Sequence, residues 1–205
     1  VSLYRDRILP WILDHGSNAP GTRHPRRRLL ERAQGAILEV GFGAGRSLEY
    51  YRFGPTGVRS VAALEPHPAM IRRGRARIAA APVPVEILEA PAEAIPAEDA
   101  SFDTVVSVLT MCGLSDLPLG LSEIRRVLRP GGAFLFLEHG RGASEGIVRW
   151  QRRLNPVQKA LAGCRLDVAV EEEVVRAGFA IESLERFTVR PSNPLTQMYL
   201  GSARR

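Results

Sequence analysis

A chain of 205 residues, 45% apolar and 24% charged, is long enough for one sizeable core, and two independent domains would be cramped. These fractions exclude disordered and fibrous classes, no apolar run approaches the roughly 20 residues of a membrane span, and Arg5, Asp6 and Arg7 stand where a signal peptide would be apolar, so a cytoplasmic protein is expected. The net charge of +6 permits a phosphate-bearing partner or an anionic membrane surface without requiring either, and Cys112 and Cys164, far apart and without metal-type spacing, indicate no disulfide framework and no metal.

Residues Leu3 to Leu13 form an amphipathic segment, Ser17 to Arg23 a loop, and Pro25 suits the first turn of a helix running to Gln34. From Ala36 short apolar strands alternate with helices: strand Ala36 to Val40, helix Arg46 to Arg52, strand Val58 to Leu64, helix Pro68 to Ala80 and strand Val85 to Glu89. The series resumes with strand Phe102 to Val108, helix Leu119 to Leu128 and strand Ala133 to Glu138. Strands apolar on both faces and separated by helices predict a parallel sheet covered on each side. The last third predicts helices Gly146 to Leu161 and Ala169 to Ala177, then strands Ala180 to Phe187 and Thr196 to Ser202, joined as an antiparallel pair by the loop Thr188 to Leu195.

The stretch Ile37 to Tyr50 carries the most chemistry. A buried strand runs into Gly41, Gly43 and Gly45, and three glycines at alternate positions let a backbone turn tightly beneath a ligand. Glu39 is unusual in so apolar a strand; a buried carboxylate needs partners, which a bound cation or ligand amine would supply. A nicotinamide-binding turn has its third glycine one place later, where this chain has Arg46. The spacing therefore favours S-adenosylmethionine, whose sulfonium and amino groups suit a nearby acid. Ligands of open parallel sheets sit beyond the carboxyl ends of the strands. Glu65 ends the second strand and is placed to accept both hydroxyls of a ribose, the alternative being a solvated carboxylate in a turn with Pro66. Ala92 and Glu93 follow the third strand, where backbone can meet an adenine edge.

Glu39-Val-Gly-Phe-Gly-Ala-Gly, Leu64-Glu65-Pro66, Ala92-Glu93-Ala94-Ile95-Pro96, Ser101-Phe102-Asp103-Thr104-Val105-Val106 and Leu128-Arg129-Pro130-Gly131-Gly132 resemble successive motifs of class I S-adenosylmethionine-dependent methyltransferases, spaced as in the ubiquinone-methyltransferase-like group. The resemblance implies an α/β fold, a Rossmann-like seven-stranded mostly parallel sheet with one antiparallel strand and helices on both faces. It assigns Glu39 and the glycines to the methionine end of the cofactor, Glu65 to the ribose and Ala92 to the adenine. Pro91 stands where many members have an adenine-binding Asp, which leaves adenine to backbone, Glu93 and apolar contacts such as Met70. A narrower similarity, through Tyr4-Arg5-Asp6-Arg7-Ile8-Leu9-Pro10, Leu137-Glu138-His139-Gly140, Trp150-Gln151, Gly163-Cys164 and Met198-Tyr199, is to a bacterial branch related to the animal methyltransferase-like proteins that methylate alkyl thiols. The whole reads as one domain, with 1–34 an N-terminal helical lid, 36–138 the cofactor-binding core, and 139–205 the substrate-side helices and final strand pair.

Methyl transfer from a sulfonium rests on alignment and a dry pocket. His139, ending the fifth strand, is the candidate general base, its alternative being a histidine that satisfies backbone in the next loop. Thr110, Met111 and Cys112 follow the fourth strand and border the methyl-transfer space; Trp11 and Trp150 are candidates for an apolar substrate pocket or ordinary packing. The basic runs at Arg23 to Arg32 and Arg72 to Arg77 lack the interleaved aromatics that stack on single strands, so a nucleic-acid partner is disfavoured, and Arg72, Arg73 and Arg77 read as a solvated face. The leading expectation is methylation of a small lipophilic acceptor, thiol or amine before hydroxyl, releasing S-adenosyl-L-homocysteine. A phospholipid or quinone methyltransferase in peripheral contact with a membrane, and a non-catalytic cofactor-binding regulatory module, are the alternatives. The oligomeric state stays open.

Overall fold

The computed structural model describes residues 8–16, 20–189 and 196–205. The start of the Leu3 to Leu13 segment, the first part of the Ser17 to Arg23 loop and residues 190–195 of the Thr188 to Leu195 loop lie outside the described residues.

Seven strands form one sheet: β1 (Gly35–Val40), β2 (Val58–Leu64), β3 (Val85–Leu88), β4 (Phe102–Val108), β5 (Leu128–His139), β6 (Ala180–Thr188) and β7 (Gln197–Arg204). Their order is β3-β2-β1-β4-β5-β7-β6. The first five run parallel, and β7 alone runs against its neighbours β5 and β6. The chain builds outward from β1 to β3, then crosses back to place β4 on the other side of β1, so the order reverses between β1 and β4.

Alternation along the central strands divides the core into two layers. Leu38, Val40, Val105, Phe134 and Phe136 face one side, Ile37, Val61, Val106, Leu135 and Leu137 the other. Helices α4 (Leu117–Val127) and α6 (Val170–Arg176) cover the first through Leu121, Ile124, Val127, Val170 and Val174. Helices α2 (Pro20–Leu30) and α3 (Pro68–Ala79) cover the second through Leu29, Leu30, Ile71 and Ile78. Helices α1 (Leu9–Gly16) and α5 (Glu145–Ala162) complete the domain.

Four expected boundaries need correction, the first being β5, which starts at Leu128 where Ala133 was expected. Pro25 lies inside α2, which is already helical at Pro20 and stops at Leu30, short of Gln34. The helix expected over Arg46 to Arg52 is only a 3₁₀ turn, Arg46–Glu49, because Tyr51 is drawn into the core and Phe53 pairs with Val58 as an isolated bridge. Helix α4 starts at Leu117, before the expected Leu119, since the Asp116 side chain caps it by accepting from Leu119 N.

Phe136 on β5 lies directly across from Gly201 on β7. A Cβ on Gly201 would stand 2.3 Å from the Phe136 ring, so the glycine is what lets the aromatic lie over the neighbouring strand. Gly201→Val is expected to destabilise the fold by about 1–3 kcal/mol through overpacking. Combining it with Phe136→Ala should recover part of that loss, so that a double-mutant cycle in urea gives a non-zero coupling. Strict additivity would mean that the two sites do not compete for space.

Candidate active site

The reversal point between β1 and β4 is held by a carboxylate at the end of β5. Glu138 is fully buried and accepts from the Ser107 hydroxyl at 2.6 Å, from Thr110 N at 2.9 Å and from Met111 N at 3.1 Å. Those bonds fix the 3₁₀ turn Met111–Gly113 and aim Thr110 Oγ1 at Val40 O, 3.0 Å away at the end of β1. Burial pushes the Glu138 carboxyl up to about 7, against the pull of these donors.

Beyond Val40 the chain turns through Gly41 and Gly43, both at positive φ, 69° and 60°. Gly41 presses against Thr110, whose Oγ1 would be 2.2 Å from an added Cβ. At Gly43 an added Cβ would meet only the flexible end of Met70, Cε at 3.4 Å, with Gly41 O at 3.9 Å. Gly43 N donates to Glu65 Oε2 at 2.9 Å, and Glu65 Oε1 accepts from His67 N at 3.0 Å. His67 Nδ1 lies 2.9 Å from the same Oε1. A carboxylate at the end of β2 therefore shapes the turn after β1.

One cavity of about 1010 Å³ opens over this point. Of the expected residues it is lined by Glu39, Gly41, Gly43, Glu65, Pro66, Met70, Ala92, Glu93, Thr110, Cys112 and His139. Four others stand apart. Gly45 caps the 3₁₀ turn, and a Cβ there would meet Phe42 at 2.9 Å. Met111 is buried beneath the cavity wall. Pro10 and Asp14 form the buried side of α1, so Trp11 is turned outward, 53% exposed and against His15. Trp150 is 59% exposed because its neighbour Gln151 takes the buried side of α5, bonding Gly140 O and Gly142 N. Glu93 braces the loop before α4, its Oε1 accepting from Ser115 N and Asp116 N.

Glu39 has protein partners that the sequence did not disclose. Its Oε2 accepts from Tyr51 Oη at 2.9 Å, Ser47 donates a further side-chain hydrogen bond, and Arg26 acts on it from α2. Burial still pushes Glu39 up to about 7. Arg26 is 3% exposed and lines the same cavity. Its pKa falls with burial and is pulled back up by Glu39. The basic runs are thus not uniformly solvated. Asp14 on α1 accepts from Arg46 Nε at 2.7 Å and from Arg73 at 3.2 Å, while Arg77 bonds Ala44 O at 3.0 Å and Glu49 at 3.3 Å. Arg73 and Arg77 tie α3 to α1 and the glycine turn, where a solvated face was expected.

Residues 38–136 match the methyltransferase domain family Methyltransf_11. The chain carries a methyltransferase domain. Among curated relatives, the thiol S-methyltransferase TMT1A of Homo sapiens is 32% identical over 150 residues, 71% of this chain and 60% of its own length. The ubiquinone/menaquinone biosynthesis C-methyltransferase UbiE of Geobacter sulfurreducens is 37% identical over 109 residues, 51% of this chain and 41% of its own. This chain therefore spans about three fifths of the first relative and two fifths of the second. A solved S-adenosylmethionine-dependent methyltransferase from Mesorhizobium loti shares the fold, with a TM-score of 0.68 at 21% identity over 93% of this chain and 100% of that one. The fold is that of solved S-adenosylmethionine-dependent methyltransferases, and residues 38–136 are a methyltransferase domain.

The donor set suits that cofactor: a glycine cradle open at Gly43, a carboxylate with free lone pairs at its rim, and an acid and a guanidinium side by side for an amino-acid end. The pairing also gives Glu39 a measurable signature. Its folded-state value, about 7, lies above the ordinary 4.5, so its contribution to stability is complete below pH 4.5 and is lost as the pH rises through 7. Glu39→Gln cannot titrate, and its stability relative to the parent should climb across that window by up to roughly 3 kcal/mol. Urea denaturation at pH 5 and pH 8 measures this; a difference that does not change with pH would return Glu39 to an ordinary carboxylate.

Proposed function

We propose that the chain transfers a methyl group from S-adenosylmethionine to a small, mostly apolar acceptor, with thiols and amines ahead of hydroxyls. One observation carries the reading: the glycine turn and its carboxylates open into the same cavity as Cys112, His139, Leu154 and Val157. When bound, the cofactor supplies an electrophilic methyl group on a sulfonium. Glu65 would hold the ribose hydroxyls through the side of Oε2 that Gly43 N leaves open, His67 occupying Oε1. Glu39 would hold the amino group, Gly41 and Gly43 would admit the methionine end, and Ala92 and Met70 would flank the adenine. Thr110, fixed by Glu138, borders the transfer space. His139 lies at the end of β5 beside Met198 of β7. It accepts the acceptor's proton, and the apolar walls exclude the water that would solvate the nucleophile. Thiol preference rests on likeness to TMT1A; the C-methyltransferase likeness of the core alone leaves carbon acceptors as the nearest alternative.

A second reading places the same chemistry at a membrane surface. Trp150, Leu154, Val157 and Leu161 recur at helical spacing along α5, and Trp150, Val157 and Leu161 are more than half exposed. Among the described residues no helix is long and apolar enough to cross a membrane. Sedimentation with anionic and with neutral vesicles separates the readings: a lipid-surface enzyme follows the anionic vesicles, and a protein acting on dissolved acceptors stays in the supernatant with both.

S-adenosylhomocysteine is expected to bind with about 1:1 stoichiometry. Glu65→Ala should weaken it by roughly 1.5–3 kcal/mol, the range for a hydrogen bond to a charged group. Gly43→Val should abolish binding, because its side chain fills the cradle. Calorimetry on both variants, with circular dichroism to confirm folding, checks the assignment, and parental affinity in Gly43→Val would reject it.

His139→Ala should lower thiol turnover by roughly 10²–10⁴ while leaving affinity for S-adenosylhomocysteine nearly unchanged. A matched panel of thiol, amine and phenol acceptors measures it. Undiminished thiol turnover would leave alignment and desolvation as the whole mechanism, and binding without turnover of any acceptor would point to a non-catalytic cofactor-binding module.

A further inference from the structure

Cys112 and Cys164, remote in sequence, both line the wall of the cavity, and the two thiols lie close enough to shift each other's titration. Both are free thiols. Cys112 sits on the 3₁₀ turn Met111–Gly113, and Cys164 follows Gly163, the left-handed residue at φ 75° that ends α5. Two bonds hold the approach. Arg165 N donates to Cys112 O at 2.8 Å, and Gln158 Nε2 lies 3.2 Å from Cys164 Sγ.

The two sulfurs are not equivalent. Cys112 keeps its proton, its pKa raised first by the neighbouring Cys164 sulfur, then by burial and by the Glu138 carboxylate. Cys164 is less buried, and the neighbouring Cys112 thiol and the Gln158 amide hold its pKa below that of an ordinary thiol. The other ionisable neighbours are Arg165, 3.6 Å from Asp167, and His139, which lines the same cavity. An attacking thiolate beside a protonated partner thiol is the arrangement of a dithiol reductant.

We propose that Cys112 and Cys164 form a redox-active pair that reduces small uncharged organic disulfides entering the cavity. The Cys164 thiolate attacks one sulfur of R–S–S–R, forming a mixed disulfide and releasing RS⁻. Cys112 then gives up its proton to that RS⁻ and attacks Cys164 Sγ, closing the protein disulfide and expelling the second RS⁻. The substrate gains two electrons and the pair loses two; a dithiol reductant restores it. Leu154, Val157, Ala162 and Leu166 give this part of the cavity an apolar wall, which suits an uncharged R group. The products are thiols, the acceptor class proposed above, yet the exchange needs neither cofactor nor methyl acceptor and stands apart from methyl transfer.

The test treats the reduced full chain, without cofactor, with bis(2-hydroxyethyl) disulfide. Intact-mass spectrometry should show a loss of about 2 Da with no adduct, and peptide mapping should join Cys112 to Cys164. Cys112→Ser should stop at a mixed disulfide on Cys164, and Cys164→Ser should react at least about tenfold more slowly than the parent. In the parent, iodoacetamide should modify Cys164 first, half-maximally below the pH of about 8.5 expected of an ordinary thiol. Two separate adducts on the parent, or equal rates for parent and Cys164→Ser, would overturn the proposal. The mapping on the parent needs no variant to fold.

Discussion

The carboxylate of Glu138 fixes the geometry on which the rest of the cavity depends. An ionised group without access to water must be met by donors, and the chain meets it with one hydroxyl and two backbone amides of the turn after β4. That turn can then adopt only one path. The path places Thr110 against Gly41, and a side chain at Gly41 would collide with it. The first glycine is thus required by packing against β4, whereas Gly43 faces the cavity. A second carboxylate continues the sequence of constraints: Glu65 grips Gly43 N, so the turn after β1 is held from the ends of β5 and β2 together. Each strand that borders the reversal point contributes a fixed acceptor or donor to the next.

Three acids therefore have different duties around one cavity, two lining it and Glu138 behind its wall. Glu138 is consumed by the protein, Glu65 is shared between the protein and the cavity, and Glu39 is balanced by Tyr51, Ser47 and Arg26. The contrast has a physical basis in solvation. Glu138 and Glu39 are both raised by burial, but Glu138 is met by two main-chain amides, which cannot leave, as well as by the Ser107 hydroxyl. Glu39 is met by side chains, which can rotate. A ligand amine arriving beside Glu39 finds an acid whose protein partners are replaceable, and it would favour the ionised form.

Much of this was legible in the sequence. The alternation of apolar strands and helices predicted the sheet, and the glycine spacing and the carboxylate at the end of β2 named residues that the fold brings to one cavity, because each follows from local pattern. What pattern could not give was partnership over long sequence separations. Glu138 read as one residue of an apolar strand, since nothing local says that its acceptors are spent on the turn at Thr110. Arg26 was hidden in a run of basic residues whose other members do not share its burial. Cys112 and Cys164 looked unrelated for the same reason. Trp11 and Trp150 were misplaced because apolar character does not say which side of a helix is turned inward; Asp14 on α1 and Gln151 on α5 decide that, and both are polar.

Helix α5 is attached in an unusual way that bears on the acceptor. Its buried side is made of amides: Gln151 bonds the loop after β5, and Asn155 bonds Asp167 and Leu166 N. Burial of apolar surface, the usual reason a helix docks, is spent elsewhere, and the apolar stripe is left at the cavity mouth and outward. Directional bonds fix the helix axis without dictating what the stripe contains. Residues on that stripe can therefore change size without loosening the sheet, whereas residues around Gly41, Glu65 and Glu138 cannot. Helix α1 follows the same rule, being latched through Asp14 to Arg46 and Arg73 while Ile12 and Leu13 line the cavity. A core of fixed acceptors holding two helices by polar contacts leaves their apolar stripes free to vary in size without disturbing the sheet.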